Sequence, residues 1–87
     1  MAYFVVSYDL NEGEDDRIVE ILNRIGAARA LHSAWFIEIN GTADELIRHL
    51  KKLVDESALL MVFELKQKPI YSRMFTTGAN WLAARFN

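Results

Sequence analysis

Asp9 ends the run Tyr3-Phe4-Val5-Val6-Ser7-Tyr8, so a carboxylate stands where an aromatic and β-branched segment gives way to turn-type residues. Magnesium takes oxygen ligands and is commonly held by one or two carboxylates with water completing its shell. A single Asp9 therefore serves as a metal ligand only if a second copy of the chain brings another. The alternative is a capping role, in which Asp9 bonds the amides of the following turn. Glu12, Glu14, Asp15 and Asp16 could join a metal cluster, although acids at a helix start are also explained by the positive end of the helix dipole. His32-Ser33 offers a base beside a hydroxyl, but no third orienting group accompanies it, and a tight turn between strands favours the same residues. His49 has no carboxylate or histidine four residues on, and reads as a half-buried histidine at the edge of a helix stripe. Arg48, Lys51 and Lys52, with Lys66 and Lys68, could form a phosphate-binding strip; the alternative is a solvated helix face.

The elements that must position these groups follow from periodicity. Tyr3–Asp9 reads as a central strand with apolar residues on both faces: Phe4, Val6 and Tyr8 on one, Tyr3 and Val5 on the other. Leu10-Asn11-Glu12-Gly13 reads as a loop. Ile18, Ile21, Leu22 and Ile25 then recur at i, i+3, i+4, i+7, which predicts an amphipathic helix stopped by Gly26. Ala28–Leu31 and Ala34–Ile39 predict two strands joined at His32-Ser33, with one bent strand as the alternative. Trp35 and Phe36 point to opposite faces, so one belongs to the core and the other to a partner, a base or a dimer face. Thr42-Ala43-Asp44-Glu45 matches the capping box, and Leu46, Ile47, Leu50, Leu53 and Val54 form a second stripe after it. Ala58–Leu65 predicts a further strand, and Ile70-Tyr71-Ser72 a short edge strand. Thr76 or Thr77 could cap a last helical turn or two carrying Trp81, Leu82 and Phe86.

The order strand, helix, strand, strand, helix, strand predicts a ferredoxin-like α+β domain of residues 1–87, with a core over 3–65 and a C-terminal tail over 66–87. Two helices cover one face of a four-stranded antiparallel sheet. The tail's Phe75, Trp81 and Phe86 and the two-sided opening strand predict that a second copy covers the other face, with the tails supporting the dimer.

At 87 residues, 52% hydrophobic and 25% charged, the chain has the composition of a globular domain near the lower size limit for a self-sufficient core. The absence of cysteine excludes disulfides and thiolate metal sites. Its apolar runs are too short to span a bilayer and no basic segment leads into a signal-like core, so a cytoplasmic protein without a membrane partner is expected. The net charge of −2 disfavours strong non-specific nucleic-acid binding. Residues 1–45 hold three basic and nine acidic side chains, whereas residues 46–87 hold seven basic and three acidic, which points a polar partner to the C-terminal half.

The strand end Val5-Val6-Ser7-Tyr8-Asp9-Leu10, the helix closed by Gly26, and Arg29 four residues before Ser33 with an aromatic pair after it resemble the CRISPR-associated Cas-two family and its SinR-like and VapD-like relatives. The likeness covers about residues 3–65. It implies a ferredoxin-like face-to-face homodimer, nucleic-acid binding to DNA or RNA, and in several members a metal-dependent endonuclease built on the strand-ending aspartate. Carried over residue by residue, it makes Asp9 the catalytic and magnesium-binding residue. With the basic strip added, it places Arg29, Ser33, Arg48, Lys51 and Lys52 against nucleic acid. Leu31 departs from the family, which commonly has glutamine two residues before the serine, and the tail after Pro69 looks more SinR-like. A non-catalytic dimeric module of toxin-antitoxin or defence type is the competing expectation.

Overall fold

In a computed structural model of the protein, residues 1–10 and 15–86 are described. Seven elements follow one another: β1 (Ala2–Asp9), α1 (Asp15–Arg24), β2 (Ala28–Leu31), β3 (Ala34–Ile39), α2 (Ala43–Lys51), β4 (Leu59–Leu65) and α3 (Thr76–Arg85). The strands form one antiparallel sheet in the order β2-β3-β1-β4, so the opening strand is central and β2 and β4 are edges. This small α+β architecture of four strands and three helices is compatible with the ferredoxin-like arrangement. The loop expected over Leu10–Gly13 and the acids Glu12 and Glu14 fall at least partly outside the described residues.

Period-two alternation in β1 sorts its side chains between two cores. Phe4, Val6 and Tyr8 join Trp35 and Ile37 of β3 on one face, where Ile18 and Leu22 of α1 and Leu46 and Leu50 of α2 close over them. Burying side chains of this size contributes about 1.5–3 kcal/mol each. Gly26 stops α1 at φ +84°, a backbone region costly for residues with a Cβ. Thr42 caps α2 as its sequence predicts: its hydroxyl accepts from the Glu45 amide at 3.1 Å, and the Glu45 carboxylate accepts from the Thr42 amide at 3.1 Å. α2 ends at Lys51, earlier than its apolar stripe suggests, and Leu53 lies in the turn that follows.

The second face departs from expectation. The tail is no helical turn or two waiting for a partner: α3 has ten residues and lies over β2, β3 and β1 of its own sheet. Trp81 stacks on Phe36 with ring centroids 5.1 Å apart, and Tyr3 receives Trp81 and Phe86 edge-on at 5.4 and 5.3 Å. Phe36 is therefore occupied within the chain. Arg85 lies over the Trp81 ring at 4.3 Å and donates from Nε to Glu38 at 2.8 Å, which ties the helix end to β3. Neither Thr76 nor Thr77 is the cap; Phe75 takes that position, and the Thr77 hydroxyl donates instead to the Arg29 carbonyl at 2.7 Å. Ile70-Tyr71-Ser72 forms no strand. Pro69 has no N–H to give a ladder, and the Ile70 side chain is fully exposed.

α3 leaves the β4 side of this face bare. Leu59, Met61 and Phe63 of β4 are 64%, 57% and 45% exposed, and they pair with Asp9, Ser7 and Val5 of β1. No helix among the described residues is long and apolar enough to cross a membrane.

Candidate functional site

Asp9 occupies the last position of β1, paired with Leu59, and is exposed. By alternation it shares a sheet face with Ser7, Val5 and Tyr3, the face that carries the bare β4 stripe. Its carboxylate makes no hydrogen bond or ion pair among the described residues, and the turn amides that a capping role would use, residues 11–14, lie outside them. Those residues also contain no cluster of three or more histidine, cysteine or acidic side chains able to hold a metal ion. Among the described residues one protomer thus supplies a single carboxylate at this strand end, which suits magnesium only with a second carboxylate beside it.

The His32-Ser33 turn stands beside Asp9 because Ser7 pairs with Ala34. The Tyr8 amide donates to the Ser33 carbonyl at 3.1 Å. Beneath the turn, the Tyr8 hydroxyl donates to the His32 carbonyl at 3.2 Å and accepts from Trp35 Nε1 at 2.9 Å. Arg29 donates to the same His32 carbonyl. Two donors on one carbonyl satisfy both its lone pairs and fix the turn. The His32 ring meets Phe75 edge-on at 5.2 Å, so His32 packs against the segment before α3 and forms no base–hydroxyl pair with Ser33 among the described contacts.

Arg29 is the residue of the expected set with the most structured surroundings. Its guanidinium lies 5.3 Å from the Trp35 ring centroid and 5.9 Å from that of Phe75, in the range of cation–π attraction. Its Nε is buried without a hydrogen-bond partner. Sequence reading singles out Arg29 and Trp35 and expects Phe75 at a dimer face, whereas Phe75 arrives beside Arg29 from the tail of the same chain. Asn23 and Thr76 line the same recess, although the sequence marks Thr76 only as a candidate helix cap.

Arg48, Lys51 and Lys52 line one open cleft along α2, and Lys66 and Lys68 do not join it. Arg48 pairs with Asp44 one turn earlier on α2, with both side chains largely exposed. Exposed pairs of this kind contribute about 0.2–1 kcal/mol, but they do halve the charge offered outward. Lys51 lies near Leu59 and Leu60, with which it lines one cleft. Lys66 and Lys68 follow Leu65 at the other end of β4, about 20 Å away at about 3.3 Å per residue. His49 is exposed and lines the same α2 cleft as Thr42, Glu45, Arg48, Lys51 and Lys52.

In the α2–β4 turn, the Asp55 carboxylate accepts from the Ser57 hydroxyl at 2.7 Å and from its amide at 2.8 Å. The hydroxyl first and the amide second hold its pKa below the ordinary aspartate value, because both bonds favour the ionised form. No family model matches the chain.

Proposed function

We propose that the chain acts as a face-to-face homodimer of the ferredoxin-like, Cas-two or SinR-like kind, binding nucleic acid and hydrolysing phosphodiesters with magnesium at Asp9. One observation carries this reading. An exposed carboxylate with no hydrogen bond among the described residues shares a sheet face with the apolar stripe Leu59, Met61 and Phe63 that α3 leaves bare. A twofold contact through that stripe is self-complementary and brings both Asp9 carboxylates into one interface, where like charges repel unless a cation joins them.

Asp9 of each copy would hold the ion and fix its place against the substrate phosphate. When bound, magnesium supplies Lewis acidity to the phosphoryl group and lowers the pKa of water. Arg29 and Ser33 flank the His32 turn beside Asp9, Lys51 ends α2 near Leu59 and Lys52 lies beside Lys51 in the α2 cleft, so these four would contact the strand's phosphates. Arg48 contributes less, since Asp44 shares its charge.

Incubation of DNA and RNA, single- and double-stranded, with magnesium tests the reading. Cleavage should vanish with EDTA and in Asp9→Asn, while the variant dimer without metal stays at least as stable as the original. Cleavage that survives Asp9→Asn removes the proposed chemistry.

A second reading, a non-catalytic dimeric module of toxin-antitoxin or defence type, is favoured by the Arg48–Asp44 pair, which offsets one charge of the α2 cleft, and by the place of Lys66 and Lys68 at the far end of β4. It expects the dimer without measurable affinity for nucleic acid even at low salt, where phosphate contacts are strongest.

A further inference from the structure

Two arginines are half-buried among the described residues, Arg29 and Arg85, and they are treated differently. Arg85 has Glu38 at 2.8 Å. Arg29 has no carboxylate of the described residues within ion-pair distance; one of its donors meets the His32 carbonyl, Nε is buried without a partner, and two aromatic rings flank the rest. A partly desolvated cation with no counter-charge is costly, so an anion that completes it is favoured. Arg29 also lines an open cavity of about 450 Å³ at the β2 edge, away from β4. Val19, Ala27, Ala28, Trp35 and Phe75 make the apolar part of its wall. Asn23 and Thr76 add polar groups, and the first turn of α3, which lacks a side-chain cap, begins there.

We propose that this cavity is a binding site for a small phosphorylated compound with a flat apolar body, a nucleoside monophosphate or the phosphorylated end of a strand. The phosphate completes Arg29, with the Thr76 hydroxyl as a further donor; its terminal oxygens accept more bonds than a carboxylate offers. The planar part rests against the exposed Phe75 ring and the Val19–Ala27 wall. The cavity exceeds what inorganic phosphate needs and falls in the usual size range for organic ligands. The site does not use Asp9, a second copy or magnesium.

Titration of the isotope-labelled protein with adenosine monophosphate, followed by NMR at the Trp35 indole and Arg29 side-chain N–H signals, tests the proposal. Saturable shifts should appear at millimolar or lower concentration, persist in Asp9→Asn, and be at least tenfold weaker in affinity for adenosine or for inorganic phosphate alone. Thr76→Asp places an internal carboxylate in the cavity, and should abolish the shifts while keeping or raising the melting temperature; Arg29→Gln should abolish them as well. A 5′-phosphorylated oligonucleotide that shifts the same signals more tightly than the mononucleotide assigns the strand end as source, and weaker binding assigns the free nucleotide. No saturable shift, shifts retained in a folded Thr76→Asp, or phosphate binding as tightly as the mononucleotide overturns the proposal.

Discussion

A Cβ added at Gly78 would lie 2.7 Å from the Cα of Ala30 and 3.0 Å from the Arg29 carbonyl, so α3 meets β2 backbone to backbone at this point. Glycine inside a helix normally costs about 1 kcal/mol relative to alanine. Here the close approach reverses that preference, because the neighbouring atoms are main chain and cannot swing aside. Gly78→Ala is expected to lower the melting temperature and to shift Trp81 fluorescence toward that of an exposed indole. A variant that melts higher than the original would show that α3 does not press on β2.

The cap of α2 gives a second expectation. Thr42 and Glu45 exchange hydrogen bonds at one exposed helix start. Thr42→Ala should lower stability by about 0.5–2 kcal/mol in urea unfolding. Affinity for nucleic acid, measured under conditions where the variant is folded, should not change.

Asp55 provides a pH-dependent expectation. Its folded pKa lies below the unfolded one because Ser57 donates twice to the carboxylate. The stabilisation is therefore present above the ordinary aspartate pKa and is lost as pH falls through the depressed folded value. Carboxyl NMR should show Asp55 titrating below a typical aspartate, and Ser57→Ala should move it upward. An unchanged midpoint in Ser57→Ala would mean that the hydroxyl is not the leading cause.

The parts of this fold legible in the sequence are those decided locally. The β1 alternation, the Thr42-to-Glu45 box and the Ile18 and Leu22 stripe are each set by residues within a few positions of one another, and each stands where periodicity puts it. α3 was not legible to its full length. Thr76, Thr77 and Gly78 are poor helix formers, and their helical state rests on contacts with Ala30 and Arg29 nearly fifty positions earlier. The same distance hides the recess around Arg29, because Phe75 reaches it only through the docking of the tail. Asp9 was legible as a strand end, but its place on the bare face depends on the pairing with β4.

That bare face leads to the last expectation. Leu59, Met61 and Phe63 lie on an edge strand and expose 64%, 57% and 45% of their surface, on the side where α3 does not reach. Edge strands of monomers are commonly protected by charge, most often lysine, and this face of β4 between Leu59 and Phe63 has none. Burying the three side chains against a second copy would contribute about 25 cal/mol per Å² of apolar surface removed from water. Sedimentation at micromolar concentration should give about twice the 10.0 kDa chain mass. Phe63→Lys should yield a folded monomer, since the substituted position faces water in the single chain and the lysine head can remain solvated. Ile70→Lys is the control: Ile70 is fully exposed but lies outside the strand, so that variant should remain dimeric. A monomeric original protein, or a Phe63→Lys variant that still dimerises, would exclude this face as the contact and leave each Asp9 a lone carboxylate, too little to hold magnesium.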